Sequence, residues 1–102
     1  MSAKMRTRTV GGATEVIVRV NHPMETGQRV DSKTKQKIPA HFIQKLTFLL
    51  NGKEVAVVDL GIAISANPLI KIRVNNAKRG DRIRVAWTDN RGETGGNEIG
   101  VS

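Results

Sequence analysis

Apolar residues in this chain recur at every second position, and nowhere at the spacing of a helix. In Glu15-Val-Ile-Val-Arg-Val20, the side chains of Val16, Val18 and Val20 fall on one face. Ile70, Ile72 and Val74 alternate with Lys71 and Arg73, and Ile83, Val85 and Trp87 alternate with Arg82, Arg84 and Ala86. Successive side chains of a strand point to opposite faces, so this pattern specifies antiparallel strands with one face buried and one wet.

Asn51-Gly52, between two apolar runs, is the strongest local signal. Both central residues of a type I′ turn need positive φ, which Asn and Gly tolerate. A hairpin closed there sets Leu50 opposite Lys53, Phe48 opposite Val55 and Leu46 opposite Val57. Phe48, Val55, Leu46 and Val57 are then expected to point inward, with Thr47, Ala56, Leu49 and Glu54 outward. Residues 4–10 and 97–102 read as weaker terminal strands. Turns are expected over residues 75–80 and 89–92, and Asn67-Pro68 starts a strand after the small residues of 61–66. The total is about seven strands in a single domain, residues 1–102. Such a chain is expected to be all-β, an immunoglobulin-like antiparallel β-sandwich. With no cysteine, it lacks the disulfide that pins antibody domains.

Residues 21–40 depart from that plan. A polar connection of this length is either functional or mobile. It holds Asn21-His-Pro-Met-Glu-Thr-Gly27, a basic stretch with Lys33, Lys35 and Lys37, and Ile38-Pro-Ala-His41. Two readings stand at this point: a mobile surface loop with a small hairpin of its own, or a binding loop.

The absence of cysteine removes thiol catalysis and zinc–thiolate sites. His22 and His41, with Met24, make an incomplete ligand set, and no carboxylate stands at ligand spacing from both, so no metal or cofactor is expected. The carboxylates are scattered, no nucleophile motif surrounds a serine, and Gly95-Gly96 lacks the Lys-Ser/Thr and helix of a phosphate loop. No catalytic residues are assigned, and an enzyme is not expected. The net charge of +8 favours anionic partners. Phe42, Phe48 and Trp87 all take inward positions, which leaves no platform for stacking bases. Lys71/Arg73 and Arg82/Arg84 are expected on opposite sheets. Arg19 would share a sheet with the first pair and Lys45 with the second, so the charge divides between two faces. No nucleic-acid or membrane partner is therefore expected. A stand-alone basic β-domain that binds nucleic acid or another anionic surface is the competing expectation.

The blocks His22-Pro-Met-Glu-Thr-Gly27 and Pro39-Ala-His-Phe-Ile43, in that order, carry a specific resemblance. Asn51-Gly52, Ser65-Ala-Asn-Pro68, Gly80-Asp81, and Trp87 with Asp89, Asn90 and Gly92 extend it along nearly the whole chain. The sequence resembles the SoxZ family, small subunits of the SoxYZ carrier complex of bacterial sulfur oxidation. The resemblance implies a heterodimer with a SoxY-like subunit. That subunit carries the sulfur substrate on a cysteine in a Gly-rich tail, and other Sox enzymes visit it transiently. A cysteine-free chain cannot be the covalent carrier, so a non-catalytic scaffold is implied, and Gly95-Gly96 is not the carrier tail. The resemblance also implies a periplasmic protein exported as the passenger of a signal-bearing partner, since residues 1–10 show no signal peptide. The loop residues His22, Pro23, Met24, Glu25, Thr26, Gly27 and Arg29 are expected to contact the partner. His22, Met24 and Glu25 are expected to lie at or beside the contact with the SoxY-like subunit or with an enzyme visiting the carrier tail; the competing reading is a loop that braces its own fold.

Overall fold

The structure, a computed structural model, describes residues 2–60, 64 and 66–101. Its strands are β1 (Ser2–Val10), β2 (Ala13–Asn21), β3 (Ile43–Leu50), β4 (Lys53–Asp59), β5 (Leu69–Val74), β6 (Arg82–Asp89) and β7 (Thr94–Gly100). They form two antiparallel sheets, β1-β2-β5 and β4-β3-β6-β7. This is the expected immunoglobulin-like sandwich of seven strands. The terminal strands, read as weak, are full ladders: every residue of β1 pairs with β2, and residues 94–100 pair with β6. Residues 61–63, Ser65 and Ser102, which belong to the expected small-residue segment, one resemblance block and the last strand, lie outside the described residues.

The alternation in the sequence becomes the core. Val16, Val18 and Val20 from one sheet meet Leu46, Phe48, Ile83 and Val85 from the other, all fully buried. Each such side chain contributes roughly 1.5–3 kcal/mol relative to exposure. Lys71 and Arg73 lie on the three-stranded sheet and Arg82 and Arg84 on the four-stranded one, as expected.

The β3–β4 hairpin corrects half of its expected register. Asn51 and Gly52 have φ of +52° and +85°, as a type I′ turn needs, and Leu50 pairs with Lys53 and Leu49 with Glu54. A bulge then intervenes, so Phe48 pairs with Ala56, Thr47 with Val57 and Leu46 with Val58. One extra residue on a strand inverts the faces of everything beyond it. Ala56 and Val58 therefore pack against the core, whereas Val55 and Val57, expected inside, are 42% and 40% exposed.

Gly95-Gly96 is strand, paired with Trp87 and Ala86. A Cβ on Gly95 would lie 2.7 Å from the indole Nε1 of Trp87. The missing side chain is what lets the indole lie flat against β7, with Trp87 only 2% exposed.

Candidate functional site

β2 and β6 end, and β3 begins, at one end of the sandwich, where the long connection also sits. The connection is ordered by its own bonds. Glu25 and His41 exchange backbone hydrogen bonds, with the Glu25 amide donating to His41 and the His41 amide to Glu25. Beyond them Val30 bridges Lys37, and the Asp31 carboxylate accepts from the Lys33 and Thr34 amides at 2.7 and 3.2 Å. The segment thus carries a small hairpin of its own.

The HPMETG block turns inward at alternate residues. His22 is 1% exposed and Met24 5%. The Met24 amide donates to His22 Nδ1 at 3.1 Å, and Met24 Sδ accepts from the Ile43 amide at 3.3 Å. Pro23 is exposed, and Glu25, Thr26 and Gly27 are half-buried. Arg29, exposed, grips the Glu25 carboxylate at 2.5 Å. That hydrogen bond holds the Glu25 carboxyl below its usual range. Of the residues expected at a partner contact, Pro23, Glu25, Thr26, Gly27 and Arg29 are accessible, and His22 and Met24 are buried behind them.

Asp89 is the hub of that frame. It takes the inward position after Ile83, Val85 and Trp87, and is 3% exposed. Its Oδ1 accepts from the amides of Arg91 and Glu93, both at 2.9 Å. Its Oδ2 accepts from His41 Nε2 at 2.7 Å and lies 3.5 Å from His22 Nε2. The Glu93 carboxylate reaches the same His41 nitrogen at 3.1 Å. Burial works to raise the Asp89 carboxyl. Hydrogen bonds from His41 and from the Glu93 and Arg91 amides, with the His22 contact, outweigh it and hold the group at about 2. Burial pushes the His22 imidazole below 6.5; Asp89 opposes that shift and His41 adds to it.

The separate sequence blocks converge here. Asn67 accepts from the His22 amide through Oδ1 at 3.0 Å, and its own amide donates to the His22 carbonyl. The Asn90 side chain accepts from the Phe42 amide at 2.8 Å and donates to the Ala40 carbonyl at 2.9 Å. By sequence spacing no carboxylate stands by both histidines. Asp89 corrects that, since it is 67 and 48 residues away in sequence and between them in space. The signal was present: an aspartate in register with three inward apolar residues must find partners inside.

Ligand atoms of His22, His41 and Asp89 lie within 4.8 Å of one another. Donation from the Met24 amide to Nδ1 leaves the proton of neutral His22 on Nε2, the nitrogen facing Asp89. That nitrogen then has no lone pair to offer a metal. The arrangement suits a hydrogen-bonded knot that fixes a loop.

Fold and site together define an immunoglobulin-like module whose polar motif residues shape a surface from beneath. The chain matches the family described as "Sulphur oxidation protein SoxZ" over residues 3–99. It belongs to the SoxZ family. No curated protein matches it. Among solved structures, it is similar to the hypothetical protein PH1083 from Pyrococcus horikoshii OT3, with a TM-score of 0.67 and 15% identity, over 100% of this chain and 88% of that one. It is also similar to a superoxide reductase in the oxidized state, with a TM-score of 0.59 and 17% identity, over 98% of this chain and 86% of that one. At such identities the likeness is one of fold.

Proposed function

We propose that this chain is a non-catalytic scaffold subunit of a SoxYZ-type carrier complex. In this reading it pairs with a SoxY-like subunit and presents that partner's cysteine-bound sulfur substrate to thiosulfate-oxidising enzymes. Family membership across residues 3–99 carries the proposal. A chain with no cysteine leaves the covalent chemistry to the partner. The accessible side of the HPMETG block, Pro23 to Gly27 with Arg29, is the proposed contact. Its shape is fixed by the knot behind it, so docking costs little ordering entropy. In the same reading the complex works in the periplasm, with the export signal on the partner.

Co-expression with the SoxY-like subunit tests the pairing. A stable heterodimer is the expected result, with no thiosulfate oxidation or hydrolysis by the isolated chain. A chain that stays unpaired, or that turns over thiosulfate alone, would overturn the proposal.

A further inference from the structure

The outer face of the three-stranded sheet is a grid fixed by strand register. Its rows are Lys4–Arg19–Leu69, Arg6–Ile17–Lys71 and Arg8–Glu15–Arg73. Glu15 is its single carboxylate. In the third row it holds Arg8 at 2.9 Å, while Arg73 bonds the Val10 carbonyl at 3.3 Å. The first two rows are different. Lys4, Arg6 and Arg19 have no ion pair among the described residues, and Lys71 reaches Glu15 only at 3.9 Å. Lys4 and Arg19 are directly opposed across β1 and β2, an arrangement that destabilises a sheet in isolation. Among these cations sit Ile17, half-buried, and Leu69, 54% exposed. A shallow depression joins Lys4 and Arg19 to Asn21 and Asn67, beside the buried His22.

We propose that these two rows are a docking surface for an acidic protein partner bearing an exposed aliphatic side chain. Carboxylates around that side chain would relieve the Lys4–Arg19 opposition, and Ile17 and Leu69 would receive the side chain itself. Ile17 and Leu69 are diagonal neighbours with Arg19 and Lys71 beside both, an apolar patch bordered by charge of the kind found at protein interfaces. Phosphates would meet the cations but leave Leu69 covered for no gain, and the face carries no aromatic ring for a base. The depression makes this surface continuous with the HPMETG end, so one partner can span both.

The proposal rests on membership of the Sox system for its choice of probes. The chain, alone and paired with its SoxY-like subunit, is titrated with that subunit and with each Sox enzyme of the same organism. A DNA duplex and phosphatidylglycerol vesicles serve as competing anions. The variants are Arg6→Glu/Arg19→Glu and Leu69→Ser, with Arg6→Lys/Arg19→Lys and Arg82→Glu/Arg84→Glu as controls. Charge reversal is expected to weaken at least one Sox protein by about ten-fold or more, and Leu69→Ser by several-fold. The lysine pair and the opposite-face variant should bind as wild type, and affinity should fall between low and about 0.3 M salt. Sox proteins that bind wild type and charge-reversed chain equally overturn the docking surface alone. Binding to DNA or vesicles that reversal abolishes, with the Sox proteins indifferent, overturns it in favour of those ligands. A folded wild-type chain that binds no Sox protein overturns both this surface and the scaffold function beneath it.

Discussion

The two ends of the sandwich are held by different means. At the far end, short turns such as Asn51-Gly52 reverse the chain, and the Asn51 side chain accepts from the Arg82 amide at 2.8 Å. Those interactions are local or lie between neighbouring strands. At the His22 end, four separated stretches are tied together, with His22 and His41 meeting one buried carboxylate and Asn67 and Asn90 bonding the backbone beside them. The far end depends on backbone conformation, whereas the His22 end depends on a buried charge and the hydrogen bonds gathered round it. An end of the second kind holds an irregular surface in one shape, which suits recognition, and it fails abruptly when one member is lost.

Removing the hub should show the contrast most strongly. Asp89→Ala leaves the Arg91 and Glu93 amides without their acceptor and His41 Nε2 with the exposed Glu93 carboxylate alone, and is expected to cost about 3 kcal/mol in urea unfolding. A loss below about 1 kcal/mol would mean that the knot is dispensable.

Acid should act on the same end with a smaller effect. Asp89 is held at about 2 in the fold against an ordinary 3.8, so its stabilisation is complete above the ordinary value and is lost as pH falls through the folded one. The amount is about 2 kcal/mol. His22 adds in the same direction: its folded imidazole resists protonation, so stability also declines as pH falls below 6.5. Melting temperature against pH measures both, and a flat profile from pH 7 to about 2 would contradict the assigned shifts.

At the far end, Gly52→Val forces a β-branched residue to a φ of +85° and should cost about 1–2 kcal/mol. Because no titrating group is involved, its stability curve should run parallel to that of wild type at every pH. A change of shape would mean that the two ends are coupled.

The smallest effect on stability is expected on the accessible side of the loop. Pro23→Ala, Thr26→Ala and Arg29→Ala together should move unfolding by roughly 0.5 kcal/mol or less while weakening capture by the SoxY-like subunit. Alanine at His22 and Met24 would test the frame instead, because both are buried. Normal capture by the surface triple variant would place the contact elsewhere.

How much of this was legible in the sequence depends on the range of the signal. Alternation in β2, β5 and β6 and the turn at Asn51-Gly52 are local, and all appear in the structure where expected. The bulge beside Val55 was not legible, since Val55 and Val57 on one parity and Ala56 and Val58 on the other offer two apolar faces. Packing chose Ala56 and Val58 for the interior. The loop was singled out by its length and its motif, but the inward turn of His22 and Met24 depends on Asp89, Asn67 and the Ile43 amide. No spacing rule joins residues so far apart. Only the break in pattern at Asp89, a charge where a fourth apolar residue was due, pointed to them.

The thinness of the sandwich has one more consequence. Its Cα trace spans 52 × 23 × 18 Å, and its two outer faces look in opposite directions. Their compositions also differ: across the second face runs an uncharged row, Val57–Thr47–Ala86–Gly96, with Lys45, Asp59, Arg84 and Glu98 on either side. A molecule seated on the basic face leaves this row open. Two occupants held on opposite sides of so slim a spacer would stay within a few nanometres of each other. They would meet at the high effective concentration of tethered species rather than by free diffusion.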